Sequence, residues 1–332
     1  MKWKRTLALL SAVLIAALVA HSLSKKPTSG EHQHEVRKVL PGLNAREVVE
    51  LEIEREGFRL VCRRDAADRG SRAAGDWRIT RERGATGPLK LRADARVVES
   101  ILAKLQSAAI AGWPSAGGGD DVRRAEYGLA TPAVTVTVRT GGPGARSHTL
   151  LIGKGVPAGD LVYATRGDTG LLYLIDRAVA KRLGVTLGQV RSKHLVDEIP
   201  VEGIDAVEVR AKAWNDSPAF TAACVRKGAV WEMRAPVADL ASAQAVYDLA
   251  HPLNSHLADE DDFATDDPAK AADYGLDDPL LQLTFRLPVG GHSLVIGSRE
   301  EAGTESYYAM NTGEPAIVRV PETLLESLRK TP

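Results

Sequence analysis

The stretch AEYGLATPAVTVTVRT at residues 125–140 returns as ADYGLDDPLLQLTFRL at residues 272–287, with seven of the sixteen positions identical. Three further pairs of blocks follow in the same order: HTLLIG and HSLVIG, LVYA and SYYA, and LLYLID and AIVRVP. The offset between the two copies stays between 144 and 147 residues throughout. Four ordered blocks at a nearly constant offset indicate that the chain contains two copies of one structural unit.

The alternation of apolar and polar residues predicts how each copy folds. In VTVTVR, residues 134–139, the valines and threonines point to opposite faces of a strand, which is typical of antiparallel sheets with one solvated face. Each copy also carries a tryptophan-containing strand, at Trp77 and Trp231, before a helical stretch. The helical stretches begin at predicted N-caps and are Asp94–Ser107 and Asp239–Leu249.

These elements predict an α+β fold with two tandem homologous modules after an N-terminal membrane segment. Each module is expected to be a mainly antiparallel sheet with two helices, in the order β-β-β-α and then β-β-β-β-α. The first module is predicted to span residues 45–190 and the second residues 191–332. The boundary is expected within GQVRSKHLVDEIP, residues 188–200, because the alternation is interrupted there.

The N-terminus has the composition of an export segment. A basic start, MKWKR, precedes the mainly apolar run Leu7–Ala20. As a helix these 14 residues would span about 21 Å, less than the roughly 30 Å hydrocarbon core, so interfacial residues would have to extend the span. We predict an uncleaved signal anchor over residues 1–23 that contacts membrane lipid, followed by a linker over residues 24–44. Cleavage before Leu23 is the alternative.

The charge and cysteine content exclude several classes of protein. Lysine plus arginine and aspartate plus glutamate both number 43, so the net charge gives no ground for proposing nucleic acid as a partner. Cys62 and Cys224 are the only cysteines, which excludes a disulfide-stapled scaffold and a CxxC metal knuckle. Both lie in alternating strands, which predicts small buried residues. A mutual disulfide, which an exported protein could form, is the alternative.

Two features of the sequence are candidate sites: a motif that recurs in both copies and an acidic loop. The Tyr-Gly-Leu blocks at 127–129 and 274–276 are predicted to close helical turns, with a left-handed glycine and a leucine that packs back. The acidic loop at 259–267 offers oxygen ligands for calcium, but it lacks the D-x-D-x-D-G spacing. We therefore predict a solvated loop with helix-capping aspartates. The matching loop of the first copy keeps only Asp120 and Asp121.

The histidines and known catalytic motifs predict no site either. His251 and His256 are separated by five positions around Pro252, so they do not share a helical face as an H-x-x-x-H zinc pair would. No P-loop, G-x-S-x-G or H-E-x-x-H pattern is present. We predict no catalytic, cofactor-binding or metal-binding residues. His148 and His292 are at the start of equivalent strands, where we expect them to be exposed. His32 and His34 lie in the predicted linker.

The order of the blocks resembles the bacterial domain-of-unknown-function 4340 family. The resemblance rests on the YGL-x-x-P blocks, the LLIG-like strands, the tryptophan strands and the N-terminal segment, and it covers about Leu40 to Leu328. Genes of this family often lie beside genes for ABC-type exporters of the gliding-motility type. The resemblance therefore implies an accessory role in a membrane assembly, with an ABC-type transporter component as the partner, and it carries over no catalytic or ligand residues.

Together these observations predict a non-enzymatic, single-pass protein of the inner (cytoplasmic) membrane. Its C-terminal bulk is expected in the periplasm or outside the cell, because the basic start of an anchor stays in the cytoplasm. A different class is the alternative: an exported hydrolase that acts on envelope polymers with carboxylates of the 259–267 loop. Such chemistry needs paired carboxylates in a cleft, so the position of these aspartates distinguishes the two hypotheses.

Overall fold

The computed structural model describes residues 37–64, 77–81, 89–114, 124–157, 159–196, 198–301 and 303–329. The predicted signal anchor, residues 1–23, lies outside these ranges, as do His32, His34, Asp120 and Asp121. Within them, no helix combines the length and the apolar character that a membrane crossing requires.

The first copy forms a nine-stranded antiparallel sheet from the described residues. Its strands are β1 Val48–Arg55, β2 Phe58–Arg64, β3 Trp77–Arg81, β4 Leu89–Arg92, β5 Ile110–Gly112, β6 Val134–Thr140, β7 Ser147–Gly155, β8 Leu161–Arg166 and β9 Leu172–Asp176. The order across the sheet is β4-β3-β2-β1-β6-β7-β8-β9-β5. Its helices are α1 Ala95–Ser107, α2 Arg177–Leu183 and α3 Leu187–Val190, and a 3-10 turn at Ala45–Glu47 precedes β1.

The second copy repeats this topology. Its strands are β10 Ala206–Ala211, β11 Phe220–Lys227, β12 Val230–Ala235, β13 Asp239–Ala241, β14 Phe263–Thr265, β15 Leu281–Arg286, β16 Gly291–Arg299, β17 Ser306–Asn311 and β18 Ile317–Pro321. They lie in the order β13-β12-β11-β10-β15-β16-β17-β18-β14, which is the order of the first sheet shifted by nine. Its helices are α4 Ala243–Ser255 and α5 Glu322–Leu328, with 3-10 turns at Val201–Gly203, Glu260–Asp262 and Pro268–Tyr274. The α+β class and the two homologous modules are thus confirmed.

One face of each sheet carries the core, as the alternation predicts. In β6, Val136 and Val138 are fully buried while the intervening threonine is half-buried. Trp77 in β3 and Trp231 in β12 are buried at equivalent positions of the two copies. In the second copy, Trp231 belongs to one hydrophobic cluster with the inner faces of α4 and α5. Burial of these apolar faces against the helices is the main stabilising contribution.

Each module contains two more strands than the sequence predicts. The additional strands are short, namely β4 and β5 in the first copy and β13 and β14 in the second. β5 pairs with β9, and β14 pairs with β18, so both lie at a sheet edge next to a strand far along the chain. Three or four residues are too few to show an alternating pattern, which explains why the predicted order omits them.

The start of the second long helix also differs from the prediction. Asp239 is not an N-cap, because Asp239–Ala241 pairs with β12 as β13. The cap is Ser242, whose hydroxyl accepts a hydrogen bond from the backbone nitrogen of Ala245 at 3.3 Å. In the first copy the prediction is confirmed, since the Asp94 carboxylate accepts a bond from the backbone nitrogen of Arg96 at 2.9 Å.

Part of the predicted linker belongs to the folded first module. Val39, Leu40 and Leu43 are buried. The backbone nitrogen of Val39 donates to the carbonyl oxygen of Ala108 at 2.8 Å, which pairs this segment with the chain that follows α1. The fold of the first module therefore begins before residue 45, and the apolar residues Val39, Leu40 and Leu43 of the predicted linker are the sequence signal for this.

The compact units of the chain do not follow the repeat. One unit contains the described residues up to 59 together with residues 99–184, and the other contains residues 60–98 together with residues 185–329. Strands β3 and β4, and β2 from Leu60 onwards, are therefore part of the first sheet but of the second compact unit. The boundary at residue 190 remains a prediction.

Candidate functional site

The repeated Tyr-Gly-Leu blocks are helix caps, as predicted. Gly275 has φ +66° and follows the 3-10 helix Pro268–Tyr274, and its backbone nitrogen donates to the carbonyls of that helix. Leu276 packs back with only 5% of its surface exposed. In the first copy Gly128 has φ +71°, and Leu129 is buried in the same way. A left-handed residue without a Cβ ends a helix at little cost, so the motif is explained by the fold.

The cap docks onto the glycine of the LLIG-type strand in both copies. The carbonyl oxygen of Tyr127 accepts a hydrogen bond from the backbone nitrogen of Lys154 at 2.8 Å. A Cβ built on Gly153 would lie 2.1 Å from that oxygen, and one on Gly297 would lie 2.3 Å from the oxygen of Tyr274. Only glycine allows the two backbones to approach so closely. β7 and β16 both shift register at this point.

The tyrosine of the third block completes this contact. Tyr127 stacks on Tyr163 of β8 with 4.1 Å between ring centroids. Tyr274 meets Tyr308 of β17 at 4.5 Å, edge to face. The three blocks that recur most clearly in the sequence therefore meet at one place in each module, where aromatic packing adds to the backbone contact. We call this arrangement the YGL lock.

The acidic loop forms caps and an ion pair, which confirms the predicted capping aspartates. Asp267 accepts from the backbone nitrogen of Ala269 at 3.1 Å, and Asp262 accepts from the backbone nitrogen of Asp259 at 2.7 Å. Asp266 pairs with Arg191 at 2.6 Å. Over the described ranges, no group of three or more histidine, cysteine or acidic side chains is arranged to hold a metal ion.

The two histidines at the strand openings are less exposed than predicted. His148 and His292 are half-buried, because each lies inside a strand and pairs with a residue of the neighbouring strand. Burial lowers the pKa of His148, and the nearby Arg146 lowers it further. His251 lies exposed in α4, which continues through Pro252, and His256 follows the helix as its C-cap. Burial also lowers the pKa of His256.

The cysteines are free thiols inside the two cores. Cys62 in β2 and Cys224 in β11 are fully buried, which confirms the predicted small buried residues, and they form no disulfide. Burial raises the pKa of Cys62 to about 12 and raises that of Cys224 as well. A thiol that stays protonated is a poor nucleophile.

The second module contains an open cleft of about 550 Å³. Such a volume is within the range of small-molecule sites. The cleft lies beside the YGL lock of the second copy, and its lining mixes an indole, hydrogen-bonding side chains and glycine backbone. The lining residues are Trp214, Asn215, Gly275, Asp278, Leu280, Gly297, Ser298, Arg299 and Tyr307.

Trp214 belongs to a loop that joins β10 and β11. A tight turn closes this loop, since Trp214 and Ser217 exchange two backbone hydrogen bonds at 3.0 and 2.9 Å. Asn215 within the turn has φ 48°, a left-handed conformation that asparagine tolerates better than most residues. The buried guanidinium of Arg329 lies 5.5 Å from the Trp214 ring and donates to the carbonyl oxygen of Pro218 at 3.3 Å. These contacts hold the indole at the wall of the cleft.

Polar contacts of Tyr307 connect the loop to the sheet. Its hydroxyl accepts hydrogen bonds from Nε1 of Trp214 at 2.9 Å and from Nη2 of Arg299 at 2.6 Å. Arg299 also pairs with Glu322 at 3.3 Å, and Asn215 donates to the same carboxylate at 3.4 Å. The hydrogen bond to Tyr307 raises the pKa of Arg299, and the charges of Tyr307 and Glu322 raise it further. The guanidinium is therefore a charged group that is paired within the cleft wall.

The first module shares the two glycines of this cleft but lacks its loop, its arginine and its tyrosine. β1 and β2 are joined by Glu56 and Gly57 alone, where the second module has the eight-residue link 212–219. Gly155 occupies the position of Arg299, and Val162 occupies that of Tyr307. Since the same fold forms without the loop, the arginine and the tyrosine, these are additions to the module rather than parts of its framework.

A second cavity, of about 30 Å³, is too small for a ligand. It is part of the compact unit that contains residues 60–98 and 185–329. Arg92 and Arg191 line it, together with Glu314, and Arg92 pairs with Glu314 at 3.4 Å. Such a volume has room for about one or two waters. We interpret this cluster as a buried polar contact that supports the fold.

Sequence reasoning did not identify the cleft. Trp214 and Asn215 lie more than 80 residues before Arg299 in the chain, so no local motif relates them. A signal is present, because the link WNDSPA is longer than its counterpart in the first copy and places a tryptophan in a polar loop. The recurring motifs and the cysteines considered from the sequence, in contrast, are explained by helix caps and cores.

The described residues form a duplicated α+β protein whose second module carries a loop and a cleft that the first does not. The family model for a domain of unknown function (DUF4340) matches residues 77–260 and 231–332, which together exceed half of the chain. The chain belongs to this family, and the two overlapping matches agree with the tandem copies. No curated protein matches the chain. No solved structure matches it either.

Proposed function

We propose that this protein is a non-enzymatic, membrane-anchored accessory or binding protein on the extracytoplasmic side of the inner membrane. Its partner in this proposal is a component of an ABC-type transporter. The observation that supports it best is the cleft of the second module, which is large enough for a ligand but whose charged groups are neutralised in pairs. Fully paired charges suit binding better than proton transfer, which needs groups with separated pKa values.

The alternative, an exported hydrolase, would use the carboxylates of the 259–267 loop. None of these aspartates lines the 550 Å³ cleft. Asp259 and Asp261 are exposed, and Asp266 is engaged with Arg191. Carboxylates that cap turns or point into solvent lack the enclosed, paired arrangement that general acid and base catalysis needs. This placement favours the accessory hypothesis.

The proposal is tested by affinity capture of the full-length protein from membranes solubilised in detergent. We expect an ABC-type transporter subunit to be recovered after chemical cross-linking in intact cells. The matched control replaces residues 1–23 with a cleavable export signal, so that the modules are exported without an anchor. Recovery of the transporter subunit should fall in this control. Recovery of cytoplasmic proteins alone, or hydrolysis of isolated envelope polymers by the purified protein, would contradict the proposal.

A further inference from the structure

We infer that the cleft of the second module is a saccharide site, with the indole of Trp214 as its stacking surface. This inference deepens the proposed function, because it rests on an extracytoplasmic position to bring the cleft to envelope glycans. The ligand class follows from three properties of the cleft, namely its charge balance, its mixture of hydrogen-bonding groups and its aromatic wall.

The charge balance excludes an anion as the preferred ligand. Arg299 is the cationic group of the lining, and it already pairs with Glu322 at 3.3 Å and donates to Tyr307. The one acidic group of the lining, Asp278, pairs with Lys212, which also donates to its backbone oxygen at 2.9 Å. A phosphate or carboxylate would have to compete with these carboxylates for the same donors. The charged side chains of the lining itself therefore cancel in pairs.

The remaining polar groups suit a ligand that both donates and accepts hydrogen bonds at many points. Asn215 contributes an acceptor oxygen and one donor hydrogen beyond the one given to Glu322, and Asp278 contributes Oδ2 beside the Oδ1 that pairs with Lys212. The hydroxyl of Ser298 donates to the carbonyl oxygen of Tyr274 at 3.0 Å, which leaves its lone pairs for a ligand donor. A sugar hydroxyl is both donor and acceptor, so it satisfies such a mixed set. A purely apolar ligand would offer these groups no hydrogen-bond partners, which disfavours it relative to a sugar.

The aromatic wall supplies the apolar part of the recognition. Trp214 is only partly buried, and its Nε1–H is already bonded to Tyr307, so the ring presents apolar surface rather than its donor. One face of a sugar ring consists of C–H groups and packs well on an indole face. Leu280 is the other large apolar side chain of the lining. The cleft is open, which suits a chain of sugar units that continues beyond it.

The loop that carries Trp214 is held in place by two features that the fold of the module does not need. Asn215 holds a left-handed φ of 48° in the turn, and Arg329 is buried beneath the loop beside Trp214 and Phe220. Both features carry a cost, since a strained backbone and a buried cation are unfavourable unless the surroundings hold them. The first module forms the same sheet without either feature. The fold therefore does not require these two features. We expect this of a binding loop that has been added to an existing fold.

The test measures binding of defined saccharides to the full-length protein in a detergent without a sugar headgroup. The probes are tri-N-acetylchitotriose and maltotriose, with inorganic phosphate and citrate as anionic comparators, in isothermal titration calorimetry. We expect at least one trisaccharide to bind and both anions to fail. Binding of an anion in place of the trisaccharides, or of none of the four probes, would overturn the inference.

Two variants and a control assign the binding to the cleft. Trp214→Ala should weaken trisaccharide binding by at least about tenfold, the factor that corresponds to about 1.4 kcal/mol. Asn215→Gly keeps the left-handed turn and removes only the amide, so it tests the site even if Trp214→Ala disturbs the loop. Trp113→Ala is the matched control, since Trp113 is 63% exposed in the first module. Equal binding by all three variants would refute the assignment.

Failure of the saccharide hypothesis can be distinguished from failure of the proposed accessory function, which the capture experiment tests. Loss of saccharide binding in Trp214→Ala should leave recovery of the transporter subunit unchanged, because the anchor and the rest of the fold remain. Failure of both trisaccharides would remove the ligand class without affecting the accessory role. Failure of the capture, with saccharide binding intact, would remove the transporter partner instead.

Discussion

Replacement of Gly153 by alanine tests whether the YGL lock is a structural requirement of the module. The new Cβ would lie 2.1 Å from the carbonyl oxygen of Tyr127, closer than the 3.0 Å that real Cβ atoms essentially never pass. The backbone must therefore move, and the hydrogen bond from Lys154 to that oxygen, now 2.8 Å, is lost or lengthened. The stack of Tyr127 on Tyr163 moves with it.

The expected loss of stability follows from three contributions. Strain from overpacking costs about 1–3 kcal/mol, and the lost hydrogen bond costs about 0.5–1.5 kcal/mol. Alanine restricts the unfolded chain more than glycine does, which offsets about 0.4–1 kcal/mol. The net change is a destabilisation of about 2 kcal/mol, or roughly 4–8 °C in the melting temperature of a module of this size.

The assay is urea and thermal unfolding of the full-length protein, followed by far-UV circular dichroism. Gly112→Ala is the matched control, because Gly112 also lies in a strand of the first module and a Cβ there meets no atom within 4 Å. It should change stability by less than about 0.5 kcal/mol. Gly297→Ala should reproduce the loss in the second module, since its Cβ would lie 2.3 Å from the oxygen of Tyr274. If Gly153→Ala were as stable as Gly112→Ala, the structural explanation of the motif would be refuted.

Two further predictions concern topology and pH. A reporter fused after Pro332 should be active only in the exported compartment, because a basic start precedes the apolar run at the N-terminus; cytoplasmic activity would contradict this. Burial lowers the pKa of His148 and His256 below the ordinary 6.5. The unfolded chain therefore binds protons that the folded chain does not, so stability should fall as pH drops below about 6.5 and be unaffected by these groups well above it. Equilibrium unfolding of His148→Gln/His256→Gln should show a flatter dependence, and an unchanged profile would rule out this cause.

Local patterns were enough to predict most of the framework. The two-residue period of β6 predicted which valines are buried, because the alternation of side chains depends only on backbone geometry. The left-handed glycines of the YGL blocks were also predictable, since a helix cap is set by residues within one turn. The repeat then extended each prediction to the second copy, with the exception of Asp239, where a short strand displaced the predicted cap.

The amino-acid pattern was sufficient for the duplication, the α+β class, the burial pattern and the capping role of the recurring motifs, because each depends on neighbours within a few residues or on comparison of the two copies. The reason that Gly153 and Gly297 must be glycine is visible only in the folded chain, since the oxygen that excludes a Cβ belongs to a distant turn. The same holds for the cleft, where Trp214 meets Tyr307 across 93 positions of sequence. Contacts between distant strands depend on how the whole sheet is ordered, and no local pattern of side chains carries that information.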